Sequence, residues 1–342
     1  MKQLVGAILL LLLSNTALDA QAPYYQGKTI KLVAGFPAGV AYDLYARLTA
    51  PYLVKYIPGK PEIYVQNMPG AGSMIAANYL YTVSKPDGLT IGSILPTLYF
   101  DQLIGRKEVQ FEWAKYAWIG SSDRSNHLLY MRADSPYKTI HDVLKAAEPP
   151  KCGSTGTGAT GYYLPKLIEE ALGTKFTIVT GYPGGADIDL AAQRGEIHCR
   201  ALTISAFHSR EPYHTWRKNG FVRILLQTGK KPDPRLPDAP TLDALMNEYK
   251  TPDAARRLAT VVLAGGDFGR PMVAPAGVPS DRIKILRDAY LKALGDPELL
   301  AEAKKKGLDI DPTSGDELES LAKEVSIQPP QIVERMKKVL EQ

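Results

Sequence analysis

The chain has 342 residues, a formal net charge of +5, 45% hydrophobic residues and 23% charged residues. That length allows about two domains, and the composition speaks against a disordered chain and against a second membrane segment. The small basic excess is a mild bias toward anionic ligands, and the basic residues are scattered or gathered on helices such as Lys304–Lys306, so no stripe suited to nucleic acid is visible.

Met1 and Lys2 precede an apolar run from Leu4 to Leu13, after which small and polar residues lead to Ala20 and Ala22. This is the charged, apolar and small-residue order of a secretory signal. The run is too short for a bilayer, which needs about 20 residues. We expect residues 1–20 to be removed and the mature chain to work in the periplasm.

Ile30–Ala34 reads as a strand that runs through a Gly/Ala/Pro loop into a helix from Asp43 to Tyr56, with Leu44, Leu48, Tyr52 and Tyr56 on one stripe. Such a turn aims bare N–H groups at one point, and with the helix dipole it makes a site for a carboxylate or similar anion. Asp43 either stabilises the helix start or meets a ligand. Glu62–Gln66 is the next strand, Asn67–Gly72 opens a helix through Tyr81, and a turn at Pro86–Gly88 leads into the strand Thr90–Leu95.

A second unit follows Trp118–Ser122. His127–Arg132 reads as a strand, Thr139–Ala147 as a helix and Lys151–Ser154 as a strand before the glycine loop Gly153–Gly161. Tyr162–Leu172 reads as a helix, Phe176–Thr180 as a strand, and Gly181–Ala186 as a third glycine loop before the helix Asp187–Arg194. Ile197–Thr203 and Arg223–Gln227 complete the strands of this unit. The C-terminal part is largely helical: Leu242–Leu263 with a break near Pro252, then Ser280–Leu294 with Ser280 as N-cap. A capping box at Ser314 and Glu317 starts the next helix, and Pro329–Leu340 ends the chain; Met272–Ala274 is a short strand.

Strands alternating with helices argue for parallel sheets with covering helices. Open α/β sheets bind ligands at the carboxyl ends of their strands, and three glycine loops lie there. Cys152 and Cys199 fall in strands of the same region; direct bridging of neighbouring strands is awkward, and whether they pair or stay as buried thiols is open. The five histidines lack metal-ligand spacing. Gly156–Gly161 is a literal G-x-G-x-x-G, yet no acidic residue stands near Val179–Gly181 where a dinucleotide site needs one. No G-x-S-x-G nucleophile elbow occurs.

Seven segments follow one another in a familiar order: Val33–Arg47, Val65–Leu80, Lys85–Ser93, Cys152–Thr160, Gly181–Ile197, Arg235–Leu242 and Ala274–Ile283. On these the chain resembles the solute receptors of tripartite tricarboxylate transporters, the Bug or TctC family of periplasmic binding proteins. The resemblance implies an α/β, two-lobed type II periplasmic-binding-protein fold with the ligand cleft between lobes. Lobe one would comprise 24–122 and 228–342, lobe two 123–227, with hinges near Gly120–Arg124 and Gln227–Gly229. It further implies binding without catalysis or cofactor, a small carboxylate as ligand, and large and small membrane permease subunits as partners of a monomer.

Carried over by motif, the lobe-one site is Phe36, Ala38, Gly39, Val40, Ala41, Tyr42 and Asp43, bordered by Pro96 and Thr97. The lobe-two site is Thr155, Gly156, Thr157, Gly158, Ala159, Thr160 and Tyr162, with Tyr182, Gly184, Gly185 and Asp187. Val40 and Tyr42 are bulkier than is common in the family, and Ala159 and Tyr162 stand where a small hydroxyl and a histidine are common. These departures point away from a simple di- or tricarboxylate and toward a monocarboxylate with an aromatic or apolar body, offered the rings of Phe36, Tyr42, Tyr162 and Tyr182. The runner-up role is presentation of the ligand to a two-component sensor; an exported enzyme and a transcription-factor effector domain stand further off.

Overall fold

The computed structural model describes residues 22–340 except 40, 157, 158, 183, 184, 210 and 230. The expected signal, residues 1–20, lies outside them. In chain order the strands are β1 (Thr29–Ala34), β2 (Glu62–Asn67), β3 (Thr90–Ser93), β4 (Ala117–Ser121), β5 (His127–Arg132), β6 (Lys151–Gly153), β7 (Thr177–Val179), β8 (Cys199–Thr203), β9 (Val222–Gln227), β10 (Pro271–Ala274) and β11 (Thr313–Ser314). They build two sheets, ordered β11-β4-β10-β3-β1-β2 and β7-β6-β8-β5-β9.

Sheet one is parallel only at its β2-β1-β3 side. The expectation of parallel sheets is corrected at the other side. There β4 and β10, through which the chain leaves and re-enters the sheet, lie side by side in opposite directions with Met272 opposite Gly120. In sheet two, β6 runs parallel to β7 and β8, while β5 runs antiparallel to β8 and β9. The apolar run of β1 follows from burial on both faces, since Ile30, Leu32, Val33 and Ala34 are all inaccessible.

Register decides where the loops emerge. Ala34 stands opposite both Asn67 and Ser93, so β1, β2 and β3 end together. Gly153 pairs with Val179, and Thr203, the last residue of β8, faces His127, the first of β5. The glycine loops therefore leave each sheet at one end of its strands, where open α/β sheets bind ligands.

The stretch expected as one helix broken near Pro252 is two, Leu242–Glu248 and Asp253–Phe268, because Pro252 sits with extended ψ as the N-cap of the second. The second helix carries Leu258, Val261 and Val262 into an apolar cluster that takes in Val33 of sheet one and Leu129 and Leu226 of sheet two. Phe268 at its end stacks on Trp118, ring centroids 5.0 Å apart. Ser280 is not an N-cap: Pro279 holds that place, with no side-chain cap bond, and Ser280 is the first helical residue. Ser314 does cap, its hydroxyl accepting the Glu317 N–H at 3.2 Å, but the return bond from the Ser314 N–H to the Glu317 carboxylate that a capping box needs is not made.

The cysteines pair. Cys152 of β6 stands directly opposite Cys199 of β8, Cα atoms 4.4 Å apart, and a disulfide joins them. The awkwardness expected of a bridge between neighbouring strands is resolved because this separation is at the close end of the range a disulfide spans.

Candidate functional site

The first wall is the turn after β1. Gly35 is required by close approach: a Cβ there would lie 2.0 Å from the Ser73 hydroxyl oxygen. Beyond it, the buried carboxylate of Asp43 accepts from the Gly39 N–H at 2.8 Å, the Asn67 amide at 2.7 Å and Arg47 Nε at 3.0 Å. Asn67 also donates to the Phe36 carbonyl at 2.9 Å. Burial alone would raise the Asp43 pKa, but the Gly39 amide, Arg47 and Asn67 outweigh it and hold the carboxyl below its ordinary value. Asp43 thus ties the loop to β2 and fixes its shape.

Replacing it should be costly. Asp43→Ala strips the acceptor from two uncharged donors and a guanidinium, and we expect a loss of about 2–4 kcal/mol in unfolding free energy. Urea denaturation of the variant measures it, and a change under about 0.5 kcal/mol would contradict the clasp.

Ala38, Gly39 and Ala41 are exposed at the lip of this loop, and Val40 lies outside the described residues. Phe36 and Tyr42 stack on each other, centroids 3.9 Å apart and planes 15° from parallel. The Arg270 guanidinium lies 5.5 Å from the Tyr42 ring and 4.4 Å from that of Tyr45. Burial pushes the Tyr42 phenol up to about 12; Arg270, Asp123 and Tyr163 are the charged and titratable groups in its field. Tyr163 belongs to the helix Thr160–Leu172 that follows the second glycine loop. Pro96 is buried, and Thr97 turns its methyl toward Gly265 of the bridging helix.

The second wall starts at the end of β6. Ser154 N–H donates to Val179 O at 2.9 Å, and its hydroxyl donates to Gly156 O at 2.9 Å, which bends the loop back. Gly161 admits the following helix, Thr160–Leu172, because a Cβ there would lie 2.6 Å from the Gly153 carbonyl oxygen. Ser154, Thr155, Ala159, Thr160, Gly161, Thr203 and Arg200 line a cavity of about 230 Å³. Gly156 is partly exposed beside it, and Thr157 and Gly158 lie outside the described residues.

The third loop sits next to it. The helix Gly185–Arg194 begins two residues earlier than its sequence suggests, placing Gly185 at its first position and exposed Asp187 in its first turn. Gly184 lies outside the described residues. Tyr182 lays a ring carbon 3.4 Å from where a Gly153 Cβ would be, so its ring packs on the strand end. Tyr162 is buried. The hydroxyl at this helix start that meets other side chains is that of Tyr163, 3.2 Å from His127 Nε2 and 3.4 Å from Thr160 Oγ1. Burial lowers the His127 pKa to about 4, so its imidazole is neutral near pH 7.

Sequence reasoning passed over Arg200, Arg270, His127 and Tyr163. Only Arg200 left a signal, as a charge inside an otherwise apolar strand; the others come together only in space. Beside the carboxylates Asp43 and Asp187, the wall groups are amides, hydroxyls, rings and guanidinium groups, and the Asp43 carboxylate is already occupied by Gly39, Asn67 and Arg47. Among the described residues no group of three or more His, Cys, Asp or Glu is placed to hold a metal ion.

The model of the tripartite tricarboxylate transporter family receptor matches residues 47–337. A protein of Cupriavidus necator described as "UPF0065 protein in gbd 5′ region" is 27% identical over 284 residues, 82% of this chain and 78% of that one. Among solved structures, a TctC solute binding protein from Polaromonas without ligand has 18% identity and a TM-score of 0.72, covering 93% of this chain and 99% of that one. R. palustris Rpa4515 with adipate has 20% identity and a TM-score of 0.59, covering 92% and 98%. The two-sheet α/β fold is shared with these two structures. With most of its length matched by the family model, the chain belongs to the tripartite tricarboxylate transporter receptor family and is a solute-binding receptor, not an enzyme.

Proposed function

We propose that this receptor is exported by residues 1–20 and, as a periplasmic monomer, captures a small monocarboxylate with an aromatic or apolar body. Lobe one, 24–122 and 228–342, and lobe two, 123–227, close on it. The carboxylate is held by N–H groups of Phe36–Asp43 and of the loops Thr155–Thr160 and Tyr182–Asp187, and the body lies against the Phe36 and Tyr42 rings. The closed form is what large and small permease subunits recognise. Domain motion turns on the crossings near Gly120–Arg124 and Gln227–Gly229.

The observation that carries this reading is the cavity at the carboxyl ends of β6 and β8, lined by Thr155, Ala159, Thr160 and a single cation, Arg200. One cation suits one carboxylate. A dicarboxylate is the second reading, favoured by the adipate found with the R. palustris neighbour. A thermal-shift screen of the mature chain with benzoate, phenylacetate, adipate, succinate and citrate separates them. Stabilisation by the aromatic acids supports the proposal, and stabilisation by citrate or succinate with none from the aromatic acids overturns it.

A further inference from the structure

Arg200 enters the cavity from an unusual place. It sits in the middle of β8, opposite Tyr130 of β5, where neighbouring residues are buried and apolar. Its side chain is 12% exposed. Among the described residues its hydrogen bonds are made through Nη1, which donates to Gly185 O at 2.8 Å and Asp189 Oδ1 at 2.6 Å and lies 2.8 Å from the Tyr213 hydroxyl oxygen. Nη2 makes no hydrogen bond among the described residues. It reaches the third glycine loop closely enough that a Cβ on Gly185 would lie 2.5 Å from it.

A guanidinium is a rigid fork that matches a carboxylate through two nitrogens. Here one side of the fork is fixed by a buried acid and a buried phenol, so the other is oriented before any ligand arrives. Preorientation removes the ordering cost that a long surface arginine would carry on binding. The cavity also receives the amino end of the helix Thr160–Leu172, whose dipole adds positive potential to that of the guanidinium, while Ile188 of the helix Gly185–Arg194 gives it an apolar side. Asp189 balances the charge of Arg200 in the empty protein without filling the cavity, since it is not among the lining residues.

Resting on the carboxylate reading above, we propose that Arg200 is the specificity-determining residue of the site: its Nη2, at the floor of the second-lobe cavity, bonds the ligand carboxylate and makes the receptor reject neutral isosteres. Gly185 is bare because the guanidinium needs its space. Asp189 and Tyr213 are positioning residues that hold the fork.

The test is calorimetric titration of the full mature chain with benzoate and with benzamide, its neutral isostere. Arg200 and Asp189 are bonded to each other, and removing one member of a buried ion pair destabilises by itself, so the variant is the double Arg200→Met/Asp189→Asn, with Arg200→Lys beside it. Circular dichroism and melting temperature establish that each is folded. The wild type is expected to prefer benzoate. The double variant should weaken benzoate about ten- to hundredfold, the weight of one charge-assisted hydrogen bond, weaken benzamide, whose carbonyl accepts only a neutral-acceptor bond, much less, and so lose the preference; Arg200→Lys should keep part of it. A folded double variant that retains the benzoate preference within about threefold overturns the assignment while leaving carboxylate capture intact. Equal weakening of both probes likewise overturns it, because a merely structural arginine would act that way. A wild type that binds none of the screened carboxylates overturns the capture reading and this assignment with it.

Discussion

Gly269→Ala is expected to destabilise the protein by about 3–5 kcal/mol, the largest single-residue effect we foresee. Gly269 ends the bridging helix with φ 58 and ψ −106, a conformation that L side chains rarely adopt. A Cβ there would also lie 1.6 Å from the Asp123 carbonyl oxygen and 2.7 Å from its carbon. Both obstacles are backbone, so no side chain can swing away. The same junction is held by Arg270 N–H donating to Asp123 O at 3.2 Å and Ser125 N–H donating to Gly266 O at 2.8 Å. The strained and crowded site is therefore the place where the chain passes between the sheets.

A matched control separates strain from crowding. Gly105 also has positive φ, +79, but nothing lies within 4 Å of its would-be Cβ. Gly105→Ala should cost only about 1 kcal/mol, the price of the backbone conformation alone. Urea unfolding of the two variants compares them directly. Similar losses for both, or a Gly269→Ala loss near 1 kcal/mol, would mean that the crossing is not packed as described.

The second large effect concerns the disulfide. Replacing both Cys152 and Cys199 by Ser is expected to cost about 2–5 kcal/mol, since the bond closes a loop across a sequence separation of 47 residues. The loss should fall on the second sheet: β6 and β8 are the strands it joins, and the loop that follows β6 forms the cavity wall. Protection of β6 and β8 amides from hydrogen exchange should drop in the variant, while that of β1 and β2 should not. Uniform loss across both sheets, or none, would contradict this.

Most elements are legible in the sequence because they rest on local rules. β1, β5 and the helix from Ser280 to Leu294 follow from apolar periodicity and flanking turn residues. The short helices Leu98–Leu103, Ile204–Ser209 and Tyr213–Asn219 were not legible, since six or seven residues carry little periodicity and none of the three starts with a capping box like that of Thr139 and Asp142 at Ile140–Lys145. β4 was not either: its residues continue an apolar stretch, and only pairing with β10 and β11 makes them a strand. Asp43 was recognised as a helix-start acid; its bonds from Gly39 and Arg47 are local, but the third, from Asn67, depends on β2 lying beside β1.

The sequence by itself determined the alternation of strands and helices, the glycine loops at strand ends and the order of segments that marks the family. All of these depend on residues near one another along the chain. Tertiary structure alone decided that β4 and β10 run antiparallel, that Cys152 meets Cys199, and that Arg200 lines a cavity together with Ser154, Thr155 and Ala159, more than 40 residues earlier in the chain. Those contacts arise from strand register and helix packing, which join residues distant in sequence and leave no periodic trace in it.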